Sequence, residues 1–275
     1  MLSPLLLASV LCGLAAGVIA GMFGVGGGII VVPVLLFLFH LQGFDSLITM
    51  QLAVGTSLAT IVITNISATW AHHQRGSVHW SLARYYLSGT LIGAWLGSQL
   101  AAAMNGNLLI ALFGLFIIFV GMQMIRSRLP QPGARRIPDH LTPALGVGIG
   151  TVSSLFGIGG GTLSVPALTL LSGLPMQQSV GTSSAIGVSL ALIGSIGFVY
   201  AGWHHPALPP GALGFLHPHA FLGIIFGTLF TTRLGVRLAH ALDPGWLKKG
   251  FGIFLLIVGI KLLLNYTQLG MCNFY

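Results

Sequence analysis

The 275-residue chain contains no glutamate and three aspartates, and charged residues make up only 5% of it. Soluble domains carry about 25% charged residues, so water is excluded as the main solvent of this surface. Asp45, Asp139 and Asp243 all fall between apolar runs. A proton relay built on buried carboxylates therefore has no residue to carry it. There are two cysteines, Cys12 within an apolar run and Cys272 in the tail, and they imply no disulfide framework. The opening Met1-Leu2-Ser3-Pro4 lacks a basic stretch, so it reads as the first membrane element and not as a cleaved leader.

What is present is apolar length. Hydrophobic residues make up 55% of the chain and the mean hydropathy is +0.94. Lipid offers no partners for backbone N–H and C=O, so a spanning segment must be a helix or belong to a closed barrel. The apolar runs are continuous rather than alternating, which favours helices. The formal charge of +8 does not form one patch, as a nucleic-acid partner would require. The basic residues sit in short clusters at the ends of apolar runs, where orientation signals belong. The expected class is an all-α polytopic membrane protein whose surroundings are the lipid bilayer.

The chain also repeats itself. Phe23-Gly24-Val25-Gly26-Gly27-Gly28 with Pro33 returns as Phe156-Gly157-Ile158-Gly159-Gly160-Gly161 with Pro166. Val54-Gly55-Thr56-Ser57 then matches Val180-Gly181-Thr182-Ser183, and Gly97 to Ala101 matches Gly235 to Ala239. The expected organisation is a first repeat over 1–126, a linker over 127–140, a second repeat over 141–266 and a tail over 267–275. Helices are expected at 2–22, 29–41, 46–70, 82–104 and 107–126, and again at 142–156, 162–173, 177–201, 218–240 and 246–266.

Charge predicts the topology. Arg75 and Arg84, then Arg126 to Arg136, then Arg233, Arg237, Lys248 and Lys249 mark three basic regions, while the connections at 42–45, 105–106, 174–176 and 202–217 contain no Lys or Arg. The positive-inside rule places the basic regions, including the linker, in the cytoplasm. They share one side only if 142–173 enters the membrane and returns as a hairpin. The expectation is two inverted repeats, each a glycine-tipped helical hairpin plus three transmembrane helices.

A backbone break in hydrocarbon must be buried in protein or line a wet cavity. Glycine permits φ > 0 and close approach, and a helix N-terminus beside a glycine nest attracts anions. The candidate substrate-binding residues are therefore Phe23, Gly24, Gly26, Gly27, Gly28, Phe156, Gly157, Gly159, Gly160 and Gly161, facing one small anion, with Thr56, Ser57, Thr182 and Ser183 beside them. His72, His73 and Arg75 are candidates for a cytoplasmic mouth that attracts anions. The alternative for the glycines is tight helix packing, and for the hydroxyls bonding between helices. Close packing is also the reading for Gly89, Gly93 and Gly97 and for Gly223, Gly227 and Thr231. Neither glycine run ends in Gly-Lys-Ser/Thr, so no phosphate loop, no cofactor and no resident metal are expected.

The two glycine runs, each followed by Val-Pro and then Gly-Thr-Ser, resemble the sulfite exporter TauE/SafE family of anion permeases, over essentially the whole chain. The resemblance implies a bacterial inner-membrane permease for sulfite, a sulfonate or a related organosulfur anion, without enzymatic activity. His204-His205 and His217-Pro218-His219 depart from the family pattern. They support an alternative, a transition-metal carrier using those four histidines. An intramembrane enzyme would need a base near Ser57 or Ser183, and no histidine is expected there.

Overall fold

The computed structural model describes residues 4–23, 27–126, 138, 141–241 and 244–272. These form ten helices: α1 (Pro4–Phe23), α2 (Gly28–Leu41), α3 (Ser46–Gln74), α4 (Trp80–Ala103), α5 (Gly106–Arg126), α6 (Thr142–Phe156), α7 (Gly161–Pro166), α8 (Met176–Gly202), α9 (Pro218–Ala241) and α10 (Pro244–Cys272). Proline opens α1, α9 and α10, where its missing N–H is one the helix leaves unpaired anyway. Asp45 caps α3 by accepting from Leu47 N at 2.9 Å. Pro166 closes α7, and the chain continues through a wider π turn at Ala167–Leu171. Most of the linker and the last residues of the tail lie outside the described residues.

Among the described residues α3, α5 and α8 are long and apolar enough to cross a membrane. The 14-residue α2 reaches about 21 Å at ~1.5 Å per residue, short of a hydrocarbon core of ~30 Å. The 15-residue α6 is similarly short. α3 runs through the middle, with residues 48–61 all buried, against Val32, Leu35 and Phe39 of α2 and Phe113 and Ile117 of α5.

Four of the helix pairs have directions that can be read from facing residues. α3 packs antiparallel to α8: a side chain on Gly194 would meet Leu58, one on Gly187 would meet Asn65, and one on Gly181 would meet His72. α5 packs antiparallel to α10, Gly114 on Gly259 and Gly121 on Gly252. α1 runs parallel to α9, Gly13 on Ile224 and Gly17 on Thr228. α6 runs parallel to α4, Val147 on Gly93 and Thr151 on Gly97. The first helix of each sequence copy thus packs on the fourth helix of the other copy. Lipid supplies no hydrophobic drive for these contacts, so close backbone approach at small residues holds them. Gly89, Gly93 and Gly97 each lie against backbone of α6, as the small-residue spacing predicts.

Candidate functional site

Each glycine run becomes a sharp break between helices. Gly27, at φ +72°, precedes α2, and its carbonyl accepts from Ile30 N and Val31 N. In the second copy Gly157, Gly159 and Gly160 have φ of +69°, +64° and +83°. Side chains are strained in that region, which explains the glycines directly. The Gly160 carbonyl accepts from Leu163 N and Ser164 N to start α7. Gly24, Val25 and Gly26 lie outside the described residues, as does the side chain of Phe23. Phe156 is buried, with its ring tilted against those of Phe113 and Phe116, so it belongs to the packing beside the break.

The two breaks meet. A side chain on Gly28 would run into the Gly157 carbonyl oxygen and lie 2.8 Å from the Ile158 Cα. α3 and α8 flank this junction. The Ser57 hydroxyl donates to the Gly157 carbonyl at 2.9 Å, Ile61 fills the space beside Gly28 and Gly159, and Asn65 stands against Gly187. Gly187 in turn leaves room for the Gly159 carbonyl, 2.6 Å from where its Cβ would be.

Around the second break lies a group of buried hydroxyls. Ser153, Ser154 and Ser164 are 0% exposed and Ser183 is 2% exposed, yet none of the four hydroxyl oxygens has a hydrogen-bond partner among the described residues. The Thr162 hydroxyl is also buried and unpartnered. Ser164 approaches Gly160 at the break, and Ser154 faces Gly194 of α8. Burying an unpaired hydroxyl costs about 1–3 kcal/mol, so several at one junction call for something that fills them. This wall offers hydroxyl donors and contains no charged side chain. It is also one-sided: where the second copy has Ser153, Ser154, Thr162 and Ser164, the first has Ala20, Gly21, Ile29 and Val31.

The Gly-Thr-Ser triplets split between two jobs. Gly55 admits the Phe215 carbonyl, and the Thr56 hydroxyl accepts from His217 N at 3.0 Å. In the second copy Gly181 admits the Ser77 carbonyl, and the Thr182 hydroxyl accepts from His79 N at 3.0 Å. Glycine and threonine therefore clasp the chain entering α9 and α4. Of the serines behind them, Ser57 faces the junction, and Ser183 is buried one helical turn before Gly187. Thr49, Thr60 and Thr64 on the same helix bond carbonyls within three or four residues.

His72, His73 and Arg75 lie at the far end of α3, roughly 22 Å from Ser57 at ~1.5 Å per residue. They do not join the junction. His73 Nδ1 accepts from Trp80 Nε1 at 3.2 Å, and Arg75 is exposed. His217 is buried against Phe39 and Phe44 in the connection before α9, and its Nδ1 accepts from Ala220 N. Burial, with neighbouring His219 adding to it, pushes its pKa down to about 4. His205 Nδ1 accepts from Ala207 N. Among the described residues no group of three or more His, Cys, Asp or Glu is gathered to hold a metal ion. Neither Ser57 nor Ser183 is hydrogen-bonded to a histidine there.

Sequence reasoning missed Ser153, Ser154 and Ser164. Setting the two copies side by side would have marked them, because hydroxyls there stand opposite Ala20, Gly21 and Val31.

A family profile described as sulfite exporter TauE/SafE matches residues 9–262. A probable membrane transporter protein of Haemophilus influenzae is 32% identical over 261 residues, covering 94% of this chain and 98% of its own. A probable membrane transporter protein of Xylella fastidiosa is 33% identical over 254 residues, 89% of each chain. One from Methanocaldococcus jannaschii is 27% identical over 275 residues, 96% of each. No solved structure matches the chain.

Proposed function

The chain belongs to the sulfite exporter TauE/SafE family of multi-pass membrane proteins, and from that premise we propose that it is a permease for a small oxyanion, such as sulfite or a sulfonate. The observation that carries the reading is the unpartnered hydroxyls of Ser153, Ser154, Ser164 and Ser183 at the junction of the two breaks. An oxyanion presents several acceptor oxygens and no positive charge. Hydroxyls buried away from water can donate to them, and Ser183 lies one helical turn from Gly187, which touches the break. A cation would instead call for carboxylates, and the one described carboxylate, Asp45, is engaged in capping α3.

We read the two copies as inverted repeats, and that reading supports this placement. Equivalent helices α3 and α8 are antiparallel, as are α5 and α10, while α1 follows α9 and α6 follows α4. If 142–173 crossed the membrane once, α8 would run parallel to α3. Hairpins entering from opposite faces and touching at Gly28 and Gly157 satisfy all four directions. In carriers of this plan the substrate sits where half-helices meet near the midplane. With the basic regions inside, as in a bacterial inner membrane, a potential of 100 mV favours anion efflux by ~2.3 kcal/mol per charge. Export then needs no coupled proton.

The test is sulfite or sulfonate flux in proteoliposomes under an imposed potential. Ser153→Ala, Ser154→Ala and Ser164→Ala together should lower flux at limiting substrate at least about tenfold, since a hydrogen bond to a charged group contributes roughly 1.5–3 kcal/mol. Wild-type flux in a correctly folded triple variant would overturn the assignment.

A further inference from the structure

A second feature lies apart from the hydroxyl wall. A cavity of about 790 Å3 opens between α2, α5 and α10, with Cys12 of α1 at its side. That volume is within the range of about 300–1,000 Å3 that holds drug-sized ligands. Its walls are graded. Ile30, Pro33 and Val34 of α2 and Phe254 and Ile257 of α10 make an apolar interior. His40 in the last turn of α2, Ser46 at the start of α3 and Asn107 at the start of α5 make a polar end.

Lys261 of α10 joins that end. Residue 259 stands level with Gly114 of α5, so Lys261 lies about 9 Å inward from the start of α5 at ~1.5 Å per residue. A cation at this depth in an apolar run is costly unless a partner or an interface reaches it. Among the described residues it has no hydrogen-bond or ion-pair partner, and the Asp45 carboxylate accepts from Leu47 N. The amide oxygen of Asn107 is buried and also unpartnered. Phe37 and Ile257 line the cavity while remaining 57% and 62% exposed, so it opens on helix surfaces that face lipid.

Apolar depth, an unpaired cation and an unfilled acceptor at one end, and a lateral opening specify an amphiphile. We propose that this cavity binds an anionic bilayer phospholipid whose headgroup carries hydroxyls. One acyl chain lies between α2 and α10, the phosphate on Lys261 and His40, and a headgroup hydroxyl donates to Asn107. The site is independent of the substrate reading, because none of its residues belongs to the hydroxyl wall.

The experiment uses the full chain in nanodiscs with phosphatidylglycerol bearing a photoreactive acyl chain, and maps the label to peptides. Label should concentrate on α2 and α10. Unlabelled phosphatidylglycerol should displace it at least about tenfold better than phosphatidylcholine, the factor expected for one charge-assisted contact. Lys261→Gln should remove that preference, and Val34→Trp should remove label from these two helices alone. Lys261 is exposed, so its variant tests the headgroup even where the bulky one fails to fold. Label spread evenly over all lipid-facing helices, equal competition by both lipids, or an unchanged preference in Lys261→Gln would each overturn the site.

Discussion

Thr56 is 0% exposed, and its hydroxyl accepts from a backbone N–H 161 positions away. Valine has nearly the same shape but cannot accept. Thr56→Val therefore leaves the buried His217 N–H bare, at a cost of about 1–3 kcal/mol. Thr182→Val should cost less, because His79, whose N–H it accepts, is exposed. Thr56→Ser keeps the acceptor and should retain most of the stability. Thermal unfolding in detergent, with transport assayed at a permissive temperature, separates this clasp from direct contact with substrate. A Thr56→Val protein as stable as wild type would refute the clasp. The doubled Gly-Thr-Ser triplets were visible in the sequence, but their division of labour was not. Which loop returns to meet a threonine is decided by tertiary structure. The orphaned serines were hidden for a related reason: a serine in a helix ordinarily bonds its own turn, and only the packing shows that Ser153 and Ser154 do not.

At the scale of elements, α6 carries an internal comparison. Side chains on Gly146 and Gly150 would meet the carbonyls of Tyr86 at 2.7 Å and Thr90 at 2.6 Å, whereas one on Gly148 would meet nothing within 4 Å. Gly146→Ala and Gly150→Ala should each destabilise the protein by about 1–3 kcal/mol through overpacking. Gly148→Ala should be neutral or stabilising by up to about 1 kcal/mol, because alanine restricts the unfolded chain and favours the helix. Unfolding midpoints of the three variants check this, and equal losses in all three would show that α6 and α4 do not pack as described. Helix positions were the most legible part of the sequence. α6 starts at Thr142 and α9 at Pro218, as predicted, because proline, glycine and charge mark where a membrane helix can begin. α3 and α10 continue past their predicted ends, to Gln74 and Cys272, where polar residues resemble a connection but remain helical.

At the scale of the whole molecule, the pair directions make a labelling prediction. Gln42 follows α2, and Met176 begins α8; both are exposed. With Cys12 and Cys272 replaced, single cysteines at these two positions should react with an impermeant maleimide from opposite faces of sealed vesicles. Reaction from the same face would defeat the inverted arrangement. Basic residues point to this arrangement because they resist translocation, a signal that apolar composition does not carry. The meeting of Gly28 with Gly157 was expected from the paired motif. The concentration of hydroxyls on one copy was not, since symmetry in the motif suggested symmetry in the site.

The exchange of first helices between the copies also bears on how the protein is made. α1 is made before α9, whose surface it packs against, by roughly 200 residues, a delay on the order of 10–40 s at about 5–20 residues per second. Until then α1 waits in the bilayer with its glycine face unmatched, exposed to quality-control proteases and to adventitious neighbours. α6 faces no such delay, because α4 is already in place when it emerges. The packing of the first copy is therefore complete only once the second copy arrives to receive α1.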